Sequence, residues 1–139
     1  MPVPPEYARA SDQFYSLLVD ARDAAGLGST HQAYTMLQGV FQTFRRRLDV
    51  SDALRFAAVL PPLARALFVA DWDVDEPKRP FGDRTEMTEE VRSLRAAHNF
   101  SPDTAIRDVV RSVRRHVDEE AFDEVLARLP DGAVQFWES

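Results

Sequence analysis

The sequence predicts an all-α protein: a single compact orthogonal bundle of about eight helices, built from two diverged repeats of four helices. Three observations favour this fold class. Apolar residues recur at helical spacing, glycine is rare (5 of 139 residues), and one pattern of segments occurs twice. The chain is 45% apolar and 29% charged, which is typical of a folded domain, and its length suits one hydrophobic core rather than two.

An internal repeat is indicated by short matches at a constant offset. Residues 44–49 (FRRRLD) match residues 113–118 (VRRHVD) at an offset of 69, and the same offset places Leu-Pro at 60–61 on Leu-Pro at 129–130. Upstream, an offset of 73 aligns the apolar positions, so the first copy carries four extra residues near 28–31. The pattern persists across the whole unit, which favours a duplication.

The repeat defines the expected organisation of the chain. We expect one domain, residues 1–139, with repeat one at about 6–72, a polar linker at about 73–83 and repeat two at about 84–137. The second helix of each repeat has the strongest apolar stripe and should form the centre of the core. These stripes are Ala33, Leu37, Val40, Phe41, Phe44 and Leu48 in repeat one, and Ile106, Val109, Val110, Val113 and Val117 in repeat two.

The remaining helices follow from capping and breaking residues. First helices are expected at about 6–25 and 84–97, third helices at about 51–59 and 119–128, and last helices at about 61–70 and 131–137. Gly26 or Asn99 should end a first helix. Ser29 or Thr30, and the run 101–103 (SPD), should begin a second helix. Proline after leucine separates the third helix from the last.

Two basic runs end the second helices. They suit contact with an acidic partner or phosphate, but cations also stabilise the carbonyl end of a helix by about 0.3–1 kcal/mol each. Because both copies carry the run at the same point, the helix-end interpretation is favoured. Together with Trp72, the runs form the candidate interaction surface: Arg45, Arg46, Arg47, Trp72, Arg114, Arg115 and His116.

Aromatic residues end both repeats, at Phe68 and Trp72 and at Phe136 and Trp137. A large ring usually docks into a core, where it buries about 150–250 Å². An exposed aromatic patch would instead suit a partner protein or a second subunit in a homodimer. We expect docking for Trp137 and leave both alternatives open for Trp72.

No catalytic or metal-binding pattern is present in the sequence. The run 71–76 (DWDVDE) opens like a calcium loop, but Glu76 stands where glycine is needed and Gly82 where a bidentate glutamate belongs. The histidines at 31, 98 and 116 lack metal-ligand spacing. We therefore predict no catalytic residue, metal or cofactor.

Charge and composition restrict the partners and the compartment. The net charge of −6 divides into about +1 for residues 1–70 and −7 for the remainder, which argues against nucleic acid and anionic membranes as partners. No apolar run approaches the ~20 residues of a membrane helix. The start of the chain lacks the pattern of a signal peptide, and there is no cysteine. We expect a cytoplasmic protein.

The order of these segments resembles a known family, the bacterial domain of unknown function 2267. The residues that carry the resemblance are 44–49, 60–68 and Trp72, with weaker counterparts at 113–118 and 129–130. It covers roughly residues 10–137. The resemblance implies the orthogonal helical bundle, and it supplies no established activity and no catalytic residues.

Two hypotheses for function follow, and an enzyme is the less favoured third. The first is a non-enzymatic interaction or adaptor module, because no catalytic constellation is present and the two halves differ in charge. The alternative is a small-ligand-binding or sensor protein with a pocket between the two repeats, since helical bundles often hold ligands between facing helices.

Overall fold

Residues 3–139 are described by the computed structural model, and their regular structure consists of nine α-helices and one short 3₁₀ helix. No strand occurs within this range. The all-α prediction is confirmed. The helices are α1 (Pro5–Ala8), α2 (Ala10–Ala25), α3 (Thr30–Arg45), α4 (Val50–Ala57), α5 (Pro62–Val69), α6 (Arg84–Ser93), α7 (Ala105–Arg114), α8 (Glu119–Leu126) and α9 (Ala133–Phe136).

Two predicted helix boundaries in repeat one are confirmed by cap geometry. Gly26 ends α2 in the left-handed conformation with φ of 67°, which a glycine adopts without steric cost. Ser29 begins α3, and its side chain accepts a hydrogen bond from the main-chain N–H of Gln32 at 3.2 Å. The predicted first helix is interrupted at Arg9, however, because α1 has no buried residue that would hold it in line with α2.

The first helix of repeat two is shorter than predicted. α6 ends at Ser93, and the 3₁₀ helix Ala96–His98 follows a left-handed Arg95. The side-chain amide of Asn99 donates to the main-chain oxygens of Val91 and Leu94 at 2.9 and 2.8 Å, so it caps the carbonyl end of α6 from a distance. Asn99 thus ends the helix through its side chain rather than as the next residue along the chain.

The predicted start of the second helix in repeat two is also wrong. α7 begins at Ala105 with Thr104 before it, three residues after the expected cap. Ser101 is buried and hydrogen-bonds to the side chain of Asn99, so its hydroxyl is engaged in closing the preceding turn. A capping residue that finds a nearer side-chain partner does not initiate a helix.

The helices interlock across the two repeats. α3 packs against α2 of its own repeat and α6 of the other, while α7 of repeat two packs against α2 of repeat one. Gly39 permits the close approach of α3 to α6, because a Cβ atom there would lie 2.8 Å from the main-chain oxygen of Val91. The apolar stripe of α3 is buried, and several polar residues outside the stripe, among them Thr43 and Arg45, are buried as well.

An aromatic cluster fills the centre of the core. Phe136 and Trp137 are fully buried, so the expected docking of Trp137 is confirmed. The ring of Phe44 lies 5.0 Å from that of Phe136 and 5.5 Å from that of Trp137, measured between centroids. Trp72 is half-buried, with the guanidinium of Arg45 5.3 Å above its ring. No helix within residues 3–139 has the length and apolar character to cross a bilayer.

Candidate functional site

The first arginine of each basic run holds the end of its own repeat. A guanidinium nitrogen of Arg45 donates to the main-chain oxygens of Phe68 and Ala70, both at 2.9 Å. Arg114 donates through Nε to the main-chain oxygen of Trp137, also at 2.9 Å. Donor and acceptor are each displaced by 69 residues between the two bonds, which matches the internal repeat. Both arginines therefore donate to carbonyl groups at the end of the last helix of a repeat, where main-chain oxygens lack partners within the helix.

Burial changes the electrostatics of Arg45. Its side chain is only 3% exposed, and desolvation together with the charge of Arg46 lowers the pKa of Arg45, although Glu76 and Asp71 act in the opposite direction. The two carbonyl oxygens and the Trp72 ring replace the water that the cation has lost. Arg45 is thus a structural cation inside the protein.

Arg47 joins repeat one to the first helix of repeat two. Its Nη1 donates to a carboxylate oxygen of Glu90 on α6 at 2.8 Å and to the main-chain oxygen of Thr43 at 2.6 Å. Arg79 contacts the other oxygen of Glu90 at 2.6 Å. Burial alone raises the pKa of Glu90, but hydrogen bonds and charge from Arg47 and Arg79 outweigh it, so the pKa of Glu90 lies below its usual value. We call this group of Arg46, Arg47, Arg79 and Glu90 the covered clasp.

The linker folds over the covered clasp. The main-chain oxygen of Pro80 accepts from Arg47 Nε at 3.1 Å, and the N–H of Arg79 donates to the main-chain oxygen of Arg46 at 3.0 Å. Lys78 pairs with Asp49 at 3.1 Å just beyond the end of α3. Lys78, Arg79 and Pro80 of the linker therefore contact the end of α3.

The basic run of repeat two reaches back to the first helix of repeat one. His116 Nε2 lies 2.7 Å from Asp20 Oδ2 on α2, and Arg115 lies 3.8 Å from the other oxygen of the same carboxylate. We call this group of Asp20, Arg115 and His116 the open clasp. In each repeat, residues at the end of the second helix thus pair with a carboxylate on the first helix of the other repeat.

The seven residues of the predicted interaction surface do not form one exposed patch. Arg45 and Arg47 are buried, so they do not belong to an exposed basic patch. Arg46, Trp72 and Arg114 are half-buried; Arg46 is paired with Glu76 and Glu90, and Arg114 with Asp123. Arg115 is exposed and His116 lines a groove. The two basic runs lie at separate helix ends, because Arg45 and Arg114 each bond to main-chain oxygens at the end of their own repeat. Trp72 lies beside Arg45.

A groove lined by residues of both repeats lies beside His116. It has a volume of about 550 Å³, which falls within the usual range for small-molecule sites. We call it the inter-repeat groove. Its walls are α1 with the start of α2, the turn between α4 and α5, and the turn between α7 and α8. The lining residues are Pro5, Glu6, Arg9, Gln13, Ala58, Val59, Leu60, Pro61, Pro62, Arg65, His116, Val117, Asp118 and Ala121.

Gln13 belongs to the groove lining, but its side-chain amide is shielded from solvent. Gln13 lines the groove, and both its amide nitrogen and its amide oxygen are buried without a hydrogen bond to any residue of 3–139. An unpaired buried amide costs about 1–3 kcal/mol. The sequence contains a signal for this position that motif searching misses: Gln13, Leu17 and Ala21 follow at intervals of four, which puts the amide on the buried face of α2.

The groove has a mixed lining that suits binding. Leu60, Pro61 and Val117 contribute apolar surface, and Arg65 is fixed by hydrogen bonds to the main-chain oxygens of Ala57 and Leu60 at 3.3 and 3.1 Å. The ionisable residues of the lining are Glu6, Arg9, Arg65, His116 and Asp118. Within residues 3–139, no group of three or more histidine, cysteine, aspartate or glutamate side chains is placed to hold a metal ion.

Fold and site together define an all-α bundle whose two halves clasp one another and leave a groove between them. The chain belongs to the family described as uncharacterized conserved protein (DUF2267), whose model matches residues 14–136. The family resemblance of the sequence is therefore confirmed. No curated protein matches the chain.

Proposed function

We propose that this protein is a non-catalytic binding protein that holds a small organic ligand in the inter-repeat groove. The observation that carries the proposal is the groove itself, about 550 Å³ in volume, with walls from both repeats. A cleft of this size with a few polar groups on an apolar lining is the usual form of a small-molecule site.

The other hypothesis, an adaptor that binds another protein through its basic runs, has less support. Arg45 and Arg47 are buried, and the charge of Arg46 is balanced by two glutamates. Arg115 is the only residue of the two basic runs whose side chain is largely exposed, at 72%. A single exposed arginine provides little electrostatic steering of a partner.

A variant that fills the groove tests the proposal. Ala58→Trp places a large ring in the groove lining, whereas Ala66→Trp places the same ring on an exposed position of α5 outside it. Each purified protein is equilibrated with a small-molecule extract, washed by gel filtration, denatured and analysed by mass spectrometry for retained compounds. Circular dichroism and melting temperature establish that both variants are folded.

We expect the wild-type protein and Ala66→Trp to retain the same compound and Ala58→Trp to retain at least tenfold less of it. The proposal would be overturned by a wild-type protein that retains nothing from the extract. Equal retention by the wild type and by folded Ala58→Trp would place the ligand elsewhere and would also overturn it.

A further inference from the structure

We infer that the inter-repeat groove takes a small apolar ligand that carries one neutral hydrogen-bond donor, as a phenol does, and that this donor pairs with Nδ1 of His116. The inference rests on the proposed function, because it names the chemical class of ligand for the same groove. It follows from the state of the His116 ring and from the character of the lining around it.

The contact between Asp20 and His116 fixes the position of the imidazole proton. Nε2 of His116 lies 2.7 Å from Oδ2 of Asp20, and an ionised carboxylate can only accept a hydrogen bond. The proton of the neutral His116 ring is therefore on Nε2, and Nδ1 carries a lone pair. In this state Nδ1 is an acceptor.

Nδ1 of His116 is open to a ligand. It makes no hydrogen bond to any residue of 3–139, and unlike the Gln13 amide it is not shielded from solvent. The His116 side chain is 14% exposed and lines the groove, so the imidazole is part of the groove wall. A bound molecule with a donor can therefore pair with Nδ1.

Three polar residues of the lining are half-buried: Gln13, Arg65 and His116. The amide of Gln13 is shielded from solvent, and Arg65 donates to the main-chain oxygens of Ala57 and Leu60. A guanidinium has donors only. Of these three side chains, His116 is thus the one that presents an accessible acceptor.

The remaining lining of low exposure is apolar. It consists of Val59, Leu60, Pro61, Pro62, Val117 and Ala121. Burial of apolar ligand surface against these side chains favours binding, and a single donor on the ligand satisfies Nδ1. A carboxylate ligand has no proton to donate and would place its negative charge against the Nδ1 lone pair.

The test uses phenol as the probe and anisole as the matched negative, because anisole keeps the ring and the oxygen but has no O–H donor. Benzoate is the charged comparison. Each compound is titrated at millimolar concentration into ¹⁵N-labelled wild type, His116→Phe and the control His98→Phe, at about pH 8, where an imidazole is ordinarily neutral. His98 is exposed and does not line the groove.

Long-range ¹H–¹⁵N correlation spectra show which imidazole nitrogens carry protons, and the His116 signals are those absent from His116→Phe. We expect free His116 to carry its proton on Nε2. Phenol should shift the Nδ1 resonance, whereas anisole and benzoate should leave it unchanged.

The affinities should follow the same pattern. His116→Phe should weaken phenol binding by about three- to tenfold, the change expected for one lost hydrogen bond, and His98→Phe should not change it. Ala58→Trp should weaken it at least as much. A histidine with only a structural role would change the melting temperature but not the ratio of phenol affinity to anisole affinity.

Three outcomes would overturn the inference. One is a proton on Nδ1 of free His116 at this pH. Another is an Nδ1 resonance that phenol does not shift, or anisole or benzoate binding as tightly as phenol. The third is a compound that Ala58→Trp excludes but that the wild type and His116→Phe bind equally, which would leave the proposed function intact. Failure of Ala58→Trp to weaken binding of any retained compound would instead refute the proposed function.

Discussion

The covered clasp and the open clasp arise from the same sequence pattern and have different surroundings. In the covered clasp, Glu90 is 12% exposed and meets three arginines under the folded linker. In the open clasp, Asp20 is 27% exposed and meets one histidine and one distant arginine beside the inter-repeat groove. A basic run at a helix end thus becomes internal structure or groove wall according to what packs over it.

The difference follows from dielectric environment. An ion pair shielded from water interacts strongly, and removal of one member leaves the other as an unpaired buried charge. A pair that water can reach is screened, and its loss costs little. The covered clasp should therefore contribute more to stability than the open clasp.

The largest effect is expected for Glu90→Ala. This change leaves Arg47, which is 7% exposed, without its carboxylate, and we expect a loss of about 3–5 kcal/mol in the free energy of unfolding measured with urea. Glu89→Ala is the matched control, since Glu89 is exposed and pairs only with Arg92 on its own helix, and it should cost about 0.5 kcal/mol or less. Equal costs for the two variants would contradict the assignment of a buried clasp.

The second prediction concerns the pH dependence of stability, to which Glu90 of the covered clasp should contribute. Because the pKa of Glu90 is lowered in the folded protein, the unfolded chain binds the proton more tightly, and stability rises with pH through this range. The contribution is complete above the unfolded glutamate pKa of about 4.3 and is lost as pH falls through the lower folded pKa. The free energy of unfolding, measured with urea at a series of pH values from neutral to acid, should therefore change less with pH for Glu90→Gln than for the wild type. Parallel curves would show that Glu90 is not held by its arginines.

The smallest effect is expected for Asp20→Asn in the open clasp. It removes a partly exposed pair with His116, and we expect a change of about 1 kcal/mol or less in the free energy of unfolding at neutral pH. Asp23→Asn on the same helix, at a more exposed carboxylate paired with Arg22, provides the control. A loss for Asp20→Asn as large as that for Glu90→Ala would reverse the comparison between the two clasps.

Much of the fold could be predicted from particular residues. The apolar stripe of α3 indicated the centre of the core, Gly26 and Ser29 indicated the caps between α2 and α3, and Trp137 was expected in the core. The failures at Arg9 and Ser101 have different causes. The helix before Arg9 has no buried residue, whereas the Ser101 hydroxyl is bonded to the side chain of Asn99.

The candidate site was less predictable than the fold. The alternative hypothesis placed a pocket between the repeats, but it named none of the residues that line one. The residues that were named, the two basic runs, are mostly engaged in structure. His116 is the one member of that set that lines the inter-repeat groove. Motif spacing indicated conspicuous charge, whereas most residues of the groove lining belong to no motif.

The sequence by itself determined the all-α class and the apolar faces of the helices, because these depend on the spacing of residues a few positions apart. The order of segments along the chain indicated the family. Only the tertiary structure decided which arginines are buried and where a groove lies. The groove joins residues 5–13, 58–65 and 116–121, which are brought together by the packing of each second helix on the first helix of the other repeat. That packing is set by the summed shape of two faces, and no local pattern specifies it.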